Sequence, residues 1–261
     1  MKCCICGTVK NCGPYLNKVL SNMEKIGSLF DDYKILIYYD KSDDNTLDIL
    51  KDYPSKNLFY YVNKNPLFKL RTSNIAKGRN FCLDRIRNNY IDYDYFIMMD
   101  CDDVNCKELD INPIINALKR NDWDGLSFNT NPYYYDLYAL SIKPYFLNIY
   151  SIDKTDEISQ IIKDYIINLL NSLEPNELLT CASAFNGFSI YRTNKFIDCN
   201  YNGLTTFEYV LLSFDSLIEP YKLHGFNYNF VLEDCEHRAF HFEAITKNNA
   251  KIMISPEKIF I

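Results

Sequence analysis

The sequence has no apolar stretch that approaches the length of a membrane span, and no basic run. The first absence argues against a helix crossing a bilayer. The second, with a formal net charge of −6, argues against broad binding to nucleic acid or an anionic lipid surface, since both require a basic face. The opening Met1-Lys2-Cys3-Cys4-Ile5-Cys6-Gly7 lacks the continuous apolar core of a signal peptide, which points to a cytoplasmic protein. Ten cysteines are present, yet no C-x-x-C pair recurs downstream of the Cys3, Cys4, Cys6, Cys12 cluster at zinc-site spacing, so free thiols are expected. No Gly-rich phosphate loop follows the first apolar run, which disfavours a nucleotidyltransferase. Internal repeats and linkers are also lacking, and 261 residues suit a single domain.

What is abundant is Tyr and Phe, which carry a 15% aromatic share. With plentiful Asn, Lys and Ile this is the bias of an AT-rich genome, so a lone Tyr or Asn carries little information. Apolar runs at Cys3 to Val9 and Tyr95 to Met99 read as buried strands, and Tyr33 to Tyr39, Leu58 to Val62 and Gly125 to Asn129 as further strands. Between them, helical spacing is found from Pro14 to Ile26, Thr46 to Leu50, Ala76 to Tyr90 and Ile114 to Leu118. Strands alternating with helices predict a mostly parallel sheet covered on both faces. Further on, Glu157 to Leu173 is an amphipathic helix for the core or a dimer face, and Phe185 to Arg192 a loop entering a strand. Tyr228 to Leu232 reads as a late strand, followed by a helix over Ala239 to Ile245.

The chemistry collects where strands stop. The Tyr95 to Met99 run ends at Asp100-Cys101-Asp102-Asp103, and the Tyr33 to Tyr39 run at Asp40, Asp43 and Asp44. The late segment ends at Glu233-Asp234-Cys235-Glu236-His237, and two arginines, Arg71 and Arg79, lie between. Open α/β sheets bind ligands at the carboxyl ends of their strands. Asp100 and Asp102, two apart, can place hard oxygen ligands on one side of a strand end, an arrangement that suits Mg²⁺ or Mn²⁺ on a diphosphate. Acids after a strand also cap helices, so Asp102, Glu233 and Asp234 each have a purely structural alternative.

These residues fall into an ordered set of motifs. The stretch Asp40-Lys41-Ser42-Asp43-Asp44-Asn45-Thr46 is similar to an acid followed by S-x-D-x-T, and Ala76-Lys77-Gly78-Arg79-Asn80 to A-x-x-R-N. Asp100-Cys101-Asp102 matches D-x-D, Tyr134 to Leu140 resembles Y-Y-D-x-W-A-L, Ser183 to Phe188 resembles S-A-F-G-G, and Cys235-Glu236-His237 matches C-E-H. In this order they resemble a GT-A-fold glycosyltransferase of the small type found in bacteria and large DNA viruses. Tyr138 stands where Trp is usual, Ser141 where Arg is usual, and Asn186 replaces a Gly, all in the half expected to hold sugar or acceptor.

The resemblance implies an α/β, GT-A-like Rossmannoid mixed sheet, mostly parallel, with helices on both faces. Residues 1–131 would form the nucleotide-sugar half and 132–261 the acceptor half of one domain. The reaction implied is metal-dependent sugar transfer from a nucleotide-sugar, UDP-linked by default, to a glycan or other hydroxyl acceptor, in the cytoplasm (the host's, if viral), with a homodimer possible. Thr8, Asn11, Asp40, Asp43 and Asp44 would lie near the nucleoside, and Arg79 and Arg71 would face the diphosphate or orient the acids. Asp100 and Asp102 would hold Mn²⁺ or Mg²⁺, with His237 completing the shell and His241 its competitor. Glu236, ahead of Asp234, would be the catalytic base. Tyr135, Asp136, Asn186 and Gly187 would lie against the sugar or acceptor. Two rivals remain: Asp100-x-Asp102 also opens the motif of haloacid-dehalogenase-type phosphatases, although here strand–helix units precede it, and a degenerate transferase fold could bind glycan without turnover.

Overall fold

Residues 2–9 and 32–39 pair in parallel along their whole length, and the rest of the sheet grows outward from that pair. The computed structural model describes residues 1–65, 67–174, 176–206 and 213–261. Among these the strands are β1 (Lys2–Val9), β2 (Asp32–Tyr39), β3 (Leu58–Val62), β4 (Tyr95–Met99), β5 (Gly125–Asn129), β6 (Leu179–Cys181), β7 (Phe188–Arg192) and β8 (Ile252–Lys258). The helices are α1 (Gly13–Gly27), α2 (Thr46–Asp52), α3 (Arg71–Asn89), α4 (Asn112–Leu118), α5 (Thr155–Ser172), α6 (Thr193–Phe196), α7 (Phe214–Lys222) and α8 (Glu236–Asn248).

All eight strands form one sheet in the order β3-β2-β1-β4-β7-β5-β8-β6. The run from β3 to β4 is parallel. β7 lies antiparallel between β4 and β5, β8 is parallel to β5, and β6 closes the edge antiparallel to β8. The mostly parallel mixed sheet read from the sequence is therefore present. β7 joins the first 131 residues to the rest, because it comes from the later half and fills the gap between two strands of the earlier one.

Side chains of a strand alternate between faces, and here that alternation divides the core in two. Ile5, Ile35, Ile97 and Met99 pack with Leu16, Leu20, Leu50 and Ile114 of α1, α2 and α4. Cys4, Cys6, Tyr38, Phe96 and Met98 pack on the other face with Cys82, Ile86, Ile162 and Phe240 of α3, α5 and α8. The apolar stripe of α5, Ile158, Ile162, Ile166 and Leu170, is buried in the chain's own core. The helix α3 sits tightly on the sheet, since a Cβ on Gly78 would come within 2.7 Å of Thr8 Cγ2 and 2.8 Å of Tyr38 Cδ1.

Three expectations are corrected. Tyr228 to Leu232 is irregular chain, not a strand, with Phe230 67% exposed. Its backbone bonds run to separate loops, Asn229 N to Ser151 O at 2.7 Å and Thr205 N to Leu232 O at 3.0 Å. The helix after it begins at Glu236, three residues early, so Glu236 and His237 lie in its first turn. α3 begins at Arg71 rather than Ala76, because its N-terminus is capped from outside: Thr72 N donates to Glu233 Oε1 at 2.8 Å.

Candidate functional site

The parity that puts Phe96 and Met98 on the α3 face carries over to Asp100, one residue past the strand. There the Arg79 guanidinium meets it, Nη2 to Oδ1 at 3.0 Å, and Nε of the same arginine lies 2.9 Å from Glu236 Oε1. Arg79 is 5% exposed, with its guanidinium 4.5 Å from the Phe185 ring centroid. Burial pulls its pKa down, but Glu236 and Asp100 together hold it above the ordinary arginine value. Arg79 thus pairs with two acids, by a hydrogen bond to Asp100 and by an ion contact to Glu236 in which Nε lacks hydrogen-bond geometry.

A cleft of about 720 Å³ opens above this triad. Of the residues expected at the site, Thr8, Asp40, Arg71, Arg79, Asp100, Asp102, Tyr135, Asp136, Glu236 and His237 line it. Asp40 is fixed by Asn63 Nδ2 at 2.8 Å. Arg71, exposed at the first turn of α3, has no ion pair among the described residues. Asp102 Oδ1 accepts from Val104 N at 3.1 Å and Asn105 N at 3.4 Å, which leaves Oδ2 without a partner among the described residues. Burial raises Asp100 to about 7, with Arg79 opposing and the charges of Asp102 and Glu236 adding to the rise. Asp102 is also raised, by burial first. Burial lifts half-buried Asp136 to about 6, against hydrogen bonds from Ala139 N at 3.2 Å and Asn186 N at 3.3 Å.

The other expected residues are held elsewhere. Asn11 and Asp43 hold each other, Asp43 N donating to Asn11 Oδ1 at 2.8 Å. Asp44 accepts from Gly13 N at 2.9 Å, Thr46 N at 3.0 Å and Thr46 Oγ1 at 2.6 Å, joining the starts of α1 and α2. Neither Asn11, Asp43 nor Asp44 lines the cleft. Asn186 is buried and left-handed (φ 56°); its Oδ1 accepts from Tyr135 N at 3.0 Å and Asp136 N at 3.2 Å. Asn tolerates that conformation, so the departure from Gly here builds the wall behind Tyr135 instead of touching a ligand. Gly187 (φ 81°) likewise backs the cleft, where a Cβ would lie 2.6 Å from the Tyr135 hydroxyl oxygen.

The acidic run after the late segment splits three ways. Glu233 caps α3, as above. Asp234 turns to Arg238, Oδ2 to Nε at 3.2 Å, and lines a separate small cavity, so it has no reach to a substrate in the cleft. Glu236 alone faces the cleft. The expected trio of Asp100, Asp102 and His237 is also not assembled: among the described residues no three His, Cys, Asp or Glu side chains converge as a metal cage. The free nitrogen of His237, Nε2, lies 3.7 Å from Glu236 Oε1, beside a guanidinium that would repel a cation. What remains is a pair of carboxylates, Asp100 and Asp102, each with an open oxygen at one strand end. This fits a divalent ion that takes its other ligands from phosphates and water.

Sequence reasoning missed several contributors. Lys10 and Phe185 line the cleft, and Asn105 ties the strand end by donating to Asp100 O and Gly187 O, both at 2.8 Å. Asn63 offered a signal, a polar residue directly after an apolar strand, as at Asp40. Ser141, where Arg was expected, donates to Phe146 O at 2.9 Å, and Arg238 supplies a guanidinium to the same carbonyl.

A mixed sheet with acids at the ends of β2 and β4, and a second set arriving on α8, defines a GT-A-type fold. The profile of Glycosyl transferase family 2 matches residues 4–167, and the chain belongs to that family. Among solved structures, S. aureus TarS 1-349 in complex with UDP matches with a TM-score of 0.53 at 14% identity, over 100% of this chain and 59% of that one. The same protein with UDP-GlcNAc gives 0.49 at 14%, over 100% and 57%. The mannosyltransferase PcManGT from Pyrobaculum calidifontis, in complex with GDP-Man and Mn2+, gives 0.47 at 12%, over 77% and 47%. This chain therefore spans well under two thirds of the length of those proteins. No curated protein matches the sequence. Among the described residues no helix is long and apolar enough to cross a membrane.

Proposed function

We propose that this chain transfers a sugar from a nucleotide-sugar, UDP-linked by preference, to a hydroxyl of a glycan or other acceptor. The observation that carries the reading is the single cleft in which Asp40, Arg71, Asp100, Asp102 and Glu236 meet at the carboxyl ends of β1, β2 and β4. Thr8 and Asp40 receive the nucleoside, and Arg71, with no carboxylate partner among the described residues, faces the diphosphate. Asp100 and Asp102 would hold Mn²⁺ or Mg²⁺, which supplies Lewis-acid stabilisation of the charge building on the leaving nucleoside diphosphate. Tyr135 and Asp136 hold sugar hydroxyls. In an inverting displacement the acceptor oxygen bonds to the anomeric carbon as the sugar–phosphate bond breaks with its electron pair going to the diphosphate. Glu236 takes the acceptor's proton. Its position in the cleft supports it over Asp234, which is committed to Arg238.

The test is thermal unfolding with UDP or GDP, with and without Mn²⁺. At a hundredfold excess over Kd, a ligand that binds only the folded chain stabilises it by about 2.7 kcal/mol, roughly 5–11 °C in Tm. UDP is tried first because the TarS structure of the same fold carries it. The expected result is a shift that needs nucleotide and metal together and is lost in Asp102→Asn, with slow nucleotide-sugar hydrolysis lost alongside. Stabilisation by neither nucleotide in the presence of Mn²⁺ would sink the reading.

A further inference from the structure

A string of buried hydrogen-bonding groups runs behind the cleft and ends at its wall. Ser183 Oγ lies 2.9 Å from His241 Nδ1, His241 Nε2 lies 3.0 Å from the Tyr191 hydroxyl, and that hydroxyl lies 3.4 Å from His237 Nδ1. None of the four residues is more than 1% exposed. The last nitrogen, His237 Nε2, has no hydrogen-bond partner among the described residues, and the carboxylate approaching it is Glu236, with Oε1 at 3.7 Å. The imidazole is clamped in this orientation, stacked on Phe185 at 3.7 Å between centroids and edge-on to Tyr201 at 5.2 Å.

Both rings are neutral, because burial, reinforced by the Arg79 charge, depresses His237 well below the usual histidine value and His241 to about 3. A neutral imidazole carries one N–H and one lone pair, and a hydroxyl accepts from two donors. Both imidazoles can donate to the Tyr191 hydroxyl, which leaves a lone pair of His237 toward Glu236; otherwise the hydrogens run along the string in one of two directions. In one, His237 donates to Tyr191, Tyr191 to His241 and His241 to Ser183, leaving a lone pair of His237 against the Glu236 carboxylate. In the other, Ser183 donates to His241, His241 to Tyr191 and Tyr191 to His237, and an N–H of His237 points at Glu236. With water excluded, a lone pair facing a carboxylate is repulsive and an N–H facing it attractive, which selects the second direction.

We propose that Ser183, His241 and Tyr191 hold His237 as its Nε2–H tautomer, making it a positioning residue that donates to Glu236 Oε1 rather than a metal ligand. The 3.7 Å gap is wider than a hydrogen bond, as catalytic contacts commonly are before substrate binds. Arg79 Nε, in ion contact at 2.9 Å, and His237 Nε2 then share one oxygen of Glu236, and Oε2 is left for the acceptor's proton. The order of the hydrogens stands by itself; the catalytic part rests on the glycosyl-transfer reading.

The experiment is a long-range ¹H–¹⁵N correlation of the imidazoles in the labelled full chain, which has only three histidines to assign. Expected are hydrogen on Nε2 and an open Nδ1 for His237, unchanged when UDP and Mg²⁺ are added. Hydrogen on Nδ1, or loss of Nε2–H on adding UDP and Mg²⁺, overturns the proposal. Tyr191→Phe, which removes a single oxygen, should mix the His237 tautomers and lower kcat for nucleotide-sugar turnover about tenfold with KM unchanged. Should that variant fail to fold, Ser183→Ala carries the same readout. An unaltered tautomer and an unaltered kcat in the folded variant would refute the positioning role. Absence of turnover in the unmodified chain, with His237 carrying Nε2–H, counts against glycosyl transfer while supporting the hydrogen order.

Discussion

Arg79 joins Asp100 to Glu236, two acids that belong to different parts of the proposed reaction, and that double contact is why lysine cannot replace it. A guanidinium presents Nη2 and Nε in a fixed fork, here at 3.0 Å and 2.9 Å from its two acids. An ammonium is a point charge that satisfies one geometry at a time. Arg79→Lys should therefore keep the charge and the fold but lower nucleotide-sugar turnover by roughly 10²-fold, as expected when a reacting group shifts by about an ångström. Steady-state kinetics beside a melting curve would check this. Asp100 adds a pH dependence. Its carboxyl titrates near 7 in the folded chain, and a cation needs it ionised. Mn²⁺ affinity should level off above about pH 7 and fall by up to roughly tenfold per unit below it. Without the cation the sign reverses. A carboxyl whose folded pKa is raised contributes stability that is present below its unfolded value and lost as pH climbs from about 4 to about 7. The neutral, buried His237 and His241 act oppositely, since their depressed pKa values remove stability as pH falls below about 6.5. Melting curves with and without Mn²⁺ at pH 6 and 8 separate the two carboxylate effects.

At the scale of elements, acids that look alike in the sequence differ by what their strand or helix brings them to. Asp44 follows β2 as Asp40 does, yet its three accepted hydrogen bonds fasten α1 and α2, and it lies outside the cleft. Asp44→Ala should cost about 1–2 kcal/mol of stability, the usual loss for a helix-start acceptor, and leave UDP affinity unaltered. Denaturant unfolding and a UDP titration on the same sample would decide it, and a loss of affinity at full stability would instead return Asp44 to the nucleotide. This is also where the sequence stops being readable. Strands β1 to β5 were legible because their apolar runs are continuous, and the acids that follow β2 and β4 marked where the site lies. β6 has three residues and β8 contains Pro256, so neither stands out by periodicity. The Tyr228 to Leu232 segment looked like a strand only because aromatic residues are common throughout this chain. The partners of Glu233, Asp234 and Glu236 are Thr72, Arg238 and Arg79, and sequence spacing of one run cannot reveal that adjacent acids face different elements.

For the whole molecule, the consequence of the strand order is that residues 1–131 cannot be separated from the rest. Residues 1–131 supply β1 to β5, but β4 and β5 are not paired; β7, from the later residues, pairs with Met99 through Tyr95 on one side and with Gly125 through Ser127 on the other. β8 then covers the outer side of β5. A fragment of residues 1–131 would leave β4 with one bare edge and β5 with two, and would strip α5 and α8 from the face holding Cys4, Phe96 and Met98. Long, apolar, unpaired strand edges associate with one another rather than remain in solution. The fragment should therefore show no cooperative thermal transition and should sediment as aggregate, whereas the full chain melts in a single step. A monomeric 1–131 fragment with a sharp melt and nucleotide binding of its own would mean that β7 is dispensable to these residues. The cleft's Asp100, whose backbone N–H bonds to Gly187 O at 2.9 Å immediately before β7, would then owe nothing to the later residues that hold it here.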